Sequence, residues 1–172
     1  MSNTLNITLE IDGPFNQLVK LKDFVRSSKD EFSFDKIEPM PEELKGARAS
    51  ENQADQYQQY TIWLHENWGC LEPDFISCRI ENRQFLRYSF HTKGTSPDPA
   101  ILKLSSLFPE IIIVMYVEDE LDGMRSASEE HRGLYGIPAN VFCNGKCIQK
   151  FTHPRIDFYE LRELAKEIEA RT

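Results

Sequence analysis

The 172-residue chain predicts an α+β fold, and three observations predict it. Segments with the two-residue repeat of a strand recur along the chain, segments with amphipathic-helix spacing stand between them, and glycine or proline punctuates most junctions. Elements in that order bury their apolar faces by packing helices on a sheet.

The first strand is TLNITLEID, in which Leu5, Ile7, Leu9 and Ile11 fall on one face and Asn6, Thr8 and Glu10 on the other. The turn DGP follows, with Pro14 suited to the first helical position, and Phe15, Leu18, Val19 and Val25 then recur at helical spacing to about Ser27. EFSFDKI alternates again through Phe32 and Phe34 and reads as another strand. The prolines and polar residues of EPMPEELKGARASENQ break any regular element after it.

From Ala54 the sequence DQYQQYTIWLHENWG places Tyr57, Tyr60 and Leu64 on one helical face, and Gly69 is positioned to end that helix in a left-handed conformation. FISCRIE and QFLRYSFHT follow as strands, with Leu86, Tyr88 and Phe90 on one side of the latter. SPDPAILKLSSLF predicts a helix with Ile101, Leu104 and Phe108 spaced for burial, and IIIVMYV is a buried strand by its length and β-branching. Beyond an acidic loop at 118–130, CNGKC reads as a β-hairpin on a two-residue Asn-Gly turn. The last helix is DFYELRELAKEIEA, with Asp157 and Glu160 spaced as a capping pair and Leu161, Leu164, Ala165 and Ile168 as a stripe.

Strand, helix, strand and then strand, helix, strand is the order of a split βαβ sandwich. The expected architecture is a ferredoxin-like α+β domain with an inserted helix and a C-terminal hairpin plus helix. A single domain spans 1–172, with its core at about 4–124, the insertion at about 39–70 and the C-terminal extension at 134–172. That length suffices for one sizeable core.

Composition narrows the function classes. With 40% hydrophobic and 28% charged residues the chain is an ordinary globule. No apolar run approaches the ~18–20 residues that span a bilayer, and MSNTLNITLE lacks the charged and apolar regions of a secretory signal. A cytoplasmic protein without membrane contact is expected. The net charge of −8 opposes docking on nucleic acid, and no cluster of Lys and Arg offsets it locally.

Four cysteines, Cys70, Cys78, Cys143 and Cys147, have the number but not the spacing of a zinc site. A two-residue turn sets Cys143 opposite Lys146 and sends Cys147 to the other face, whereas a three-residue loop would bring the two thiols together. No structural metal and no cofactor is expected. Glu118, Glu120, Asp122, Gly123 and Glu129 follow the formal spacing of a calcium loop, but Arg125 stands at its apolar position and the loop leaves a strand, so a solvated loop is the plainer reading. None of His65, His91, His131 and His153 is at helical spacing from another, and neither a glycine-rich phosphate loop nor a nucleophile elbow is present. No catalytic residue is assigned. Phe85, Tyr88 and Phe90 could in principle stack bases, yet core packing explains them better.

Three quoted segments carry a resemblance. FDKIEPMPEEL, then ENWG at a helix end, then YSFHTKGTSPDPAILKLSSLFPEIIIVMYVEDE resemble the phage- and plasmid-encoded YubB-like proteins, the Api-type proteins among them, over roughly residues 4–124. The resemblance implies a ferredoxin-like domain and a mobile-element origin, and it brings no catalytic residue. Asn67, Trp68, Gly69, Phe90 and Thr92 match the family pattern, while Cys70, Leu71, Glu72, Lys93 and Gly94 depart from it. The binding candidates are therefore Asn67, Trp68, Phe90 and Thr92, together with Glu118, Glu120 and Asp122. The expected function is a noncatalytic binding protein with a protein partner, an acidic inhibitor of a nucleic-acid-binding or defence protein. The alternative is a small-molecule or cation-binding module, or an enzyme without a visible motif, using Trp68 and the acidic loop.

Overall fold

A computed structural model of the chain describes residues 4–46, 54–71, 73–81, 85–119 and 138–152. Strand β1 (Thr4–Asp12) leads into helix α1 (Phe15–Val25), and the one-turn α2 (Phe34–Ile37) and longer α3 (Ala54–Asn67) come next. Strands β2 (Asp74–Glu81) and β3 (Phe85–Lys93), helix α4 (Asp98–Leu107), strand β4 (Ile112–Asp119) and the hairpin β5 (Pro138–Cys143) and β6 (Lys146–Thr152) complete the described order. The strands form a six-stranded sheet in the order β2-β3-β1-β4-β5-β6, every neighbouring pair antiparallel.

The first four strands in that order, crossed over by α1 and α4, have the connectivity of a ferredoxin-like sandwich. The domain is thus a ferredoxin-like α+β fold, with α2 and α3 inserted between α1 and β2 and the hairpin added beyond β4. Sheet register explains its core. Leu9 is opposite Tyr88 on one side and Met115 on the other, so alternate residues of three strands share one face. On that inner face Ile7, Leu9, Ile11, Tyr88, Phe90, Ile113 and Phe142 are buried with Leu18 and Leu21 of α1 and Ile101 and Leu104 of α4.

The residues expected as a strand at EFSFDKI form a bend and then α2. The alternation of Phe32 and Phe34 is real but has another cause. Both rings are buried, and both meet Phe90, Phe32 stacking on it at 5.7 Å and Phe34 meeting it edge-on at 5.6 Å. The bend and the first turn of α2 bring both rings to Phe90, so the spacing that imitates one face of a strand comes from packing on a single ring.

The Asn-Gly hairpin forms as expected. Asn144 and Gly145 both have positive φ, 46° and 70°, as a type I′ turn requires, and Cys143 is opposite Lys146. Cys143 is buried and Cys147 exposed, which sets aside the three-residue loop that would have made them neighbours. The tip docks on α4, where the Gly145 N–H donates to Ser105 Oγ at 3.1 Å.

On the outer sheet face a second cluster forms around Val114, Ala139 and Val141, with Ile112, Tyr116 and Ile148 against it. No helix among the described residues is long and apolar enough to cross a membrane. The helix expected at DFYELRELAKEIEA, and the acidic loop from Glu120 onward, lie outside the described residues, as do the side chains of β2.

Candidate functional site around Trp68

Helix α3 ends where the sequence places its stop. The N–H groups of Trp68 and Gly69 both donate to Leu64 O, at 2.8 and 2.9 Å, and Gly69 has φ +83°. Glycine is required there for a second reason. A Cβ would stand 2.5 Å from Pro99 Cδ and 2.7 Å from Ser96 O. Backbone at the end of α3 therefore lies directly against the loop that starts α4. Thr95 Oγ1 donates to Gly69 O, and Thr92 Oγ1 donates to Thr95 O at 3.2 Å, so the two segments are also hydrogen-bonded.

Trp68 lies inside this junction, 6% exposed. Its indole Nε1–H donates to Glu38 O at 2.9 Å, thirty positions back in the chain. The ring meets Phe34 and Trp63 edge-on at 5.8 and 5.5 Å, and Phe34 in turn meets Phe90. The pattern-matching residues Trp68, Gly69, Phe90 and Thr92 thus belong to one packed junction of α2, α3, β3 and the α4 entry. Asn67 is half-buried beside it and donates from Nδ2 to Trp63 O at 2.9 Å. This arrangement makes the inserted segment part of the core.

Cys70 continues the chain into the same interior. It is fully buried, and burial pushes its thiol up to about 12. A thiol held neutral this way is neither a nucleophile nor a ready metal ligand at ordinary pH.

Glu118 is elsewhere. Register sets it beside Asn6, which is itself opposite His91, whereas Leu5 on the next rank is opposite Thr92. Glu118 is exposed, and alternation along the strand puts it on the outer face. The sheet therefore separates Glu118 from the Trp68 junction. Glu120 and Asp122 lie outside the described residues. Among the described residues no group of three or more His, Cys, Asp and Glu is placed to hold a metal ion.

Sequence reading missed the polar knot at the start of α4. Asp98 accepts from Ser96 Oγ and, through Oδ1, from Asn140 Nδ2 at 2.7 Å, tying the helix entry to β5. The Ser-x-Asp spacing was a local signal; Asn140 was not, being brought there by the sheet. Of the aromatic residues considered for stacking, Tyr88 and Phe90 are buried and Phe85 is half-buried. The Arg87 guanidinium stands 5.7 Å over the Phe85 ring and donates to Glu10 Oε1, which commits the cation to a carboxylate across the strands.

No family model matches the sequence, and no curated protein matches it. The fold is similar to the crystal structure of the protein api92 from Yersinia pseudotuberculosis, which is described with the family model DUF1281. That similarity has a TM-score of 0.45 at 9% identity, and it covers 92% of this chain and 100% of the other.

Proposed function

We propose that the chain is a noncatalytic binding protein of a mobile genetic element, working in the cytoplasm of a bacterial host on a protein of that host or of the element. Its acidic surface would occupy the basic face of a nucleic-acid-binding or defence protein. The observation that carries this reading is a pair of large apolar side chains left outside the core. On α1, Phe15 is 53% and Val19 43% exposed, and four-residue spacing puts them on one side of the helix. Side by side on the helix, these two side chains would give a partner an apolar anchor. The net charge of −8 favours a basic one. The resemblance of ENWG and its flanking segments to YubB-like proteins supports the mobile-element origin.

The test uses the tagged full chain as bait in bacterial lysate, at low salt and at about 0.15 M ionic strength. Saturable capture of a basic protein is expected, weaker at the higher salt and lost in Phe15→Ser/Val19→Ser, whose melting should stay close to wild type. Absence of any saturable partner at both salts would overturn the proposal, as would capture indifferent to both the salt and the substitutions.

A further inference from the structure

No further inference is drawn: the strongest candidate, the outer sheet face of β4 and β5 where Val114, Ala139 and Val141 are buried although the described helices pack on the other face, carries nothing because nothing among the described residues shows what covers it.

Discussion

At Trp68 two contributions can be separated by substitution. Trp68→Ala removes a buried ring from between Phe34 and Trp63, and urea unfolding should show a loss of ~3–5 kcal/mol. Trp68→Phe keeps an aromatic ring but leaves Glu38 O without its donor, so a smaller loss of ~1–3 kcal/mol is expected. Equal losses would mean that ring packing adds little to the hydrogen bond, and a negligible loss in Trp68→Phe would mean that the hydrogen bond contributes little. Gly69→Ala meets both a positive φ and the backbone of Ser96, and it should cost more than ~1 kcal/mol by the same measurement. The helix stop at Gly69 was legible because it depends on local spacing. Its close approach to Ser96 and Pro99 was not, since nothing within one window of sequence encodes a contact with a distant loop. Cys70 gives a pH prediction. Its thiol releases a proton near 9.0 when unfolded and at about 12 when folded. Above 9 the folded state therefore binds more protons, and stability falls as pH rises through that window. Cys70→Ala should flatten this decline relative to wild type. With a thiol reagent near neutral pH, exposed Cys147 should react in the folded protein and Cys70 only after unfolding.

The β5–β6 hairpin and the α2 insertion are both fastened to α4, by bonds of different kinds. Ser105 is buried and accepts the Gly145 N–H. Ser105→Ala leaves that donor without its partner and should cost ~1–3 kcal/mol. Lys103 reaches Glu38 at 3.4 Å, but its side chain is half in water. An exposed pair of that sort contributes ~0–1 kcal/mol, so Lys103→Ala should shift the urea midpoint little. The comparison asks whether desolvation or charge decides how firmly an element docks, and a reversed ranking would count against desolvation. Element type was legible wherever a pattern was long or carried its own turn chemistry. β1 alternates over nine residues, and Asn144-Gly145 fits the one turn whose positive φ values it tolerates. EFSFDKI misled because its alternation rests on only two rings, Phe32 and Phe34, and tertiary packing around Phe90 can claim both.

For the whole molecule, the ferredoxin-like arrangement was legible although EFSFDKI was read as a strand, because the remaining order β1, α1, β2, β3, α4, β4 fits few sheets with short, untangled connections. The candidate site was less legible. Matching residues can be conspicuous in a sequence for packing or for binding, and only burial separates the two roles; Trp68, Phe90 and Thr92 are all enclosed. Exposed apolar residues on α1 gave the opposite difficulty, since Phe15 and Val19 share the helical spacing of the buried Leu18 and Leu21. If a basic partner is held through long-range charge, added salt should slow its association more than it speeds its release. Stopped-flow measurements at two salt concentrations would check this, and a change confined to dissociation would place the attraction in short-range contacts instead.

The position of β1 also bears on how the chain comes off the ribosome. It is the first described strand, yet it lies inside the sheet, between β3 and β4. Leu9 must therefore wait for Tyr88 and then Met115 to be synthesised before its backbone has either neighbour. Such distant pairing is slow to close, so the apolar face of Ile7, Leu9 and Ile11 stays open to whatever shields nascent chains until β3 and β4 have both emerged.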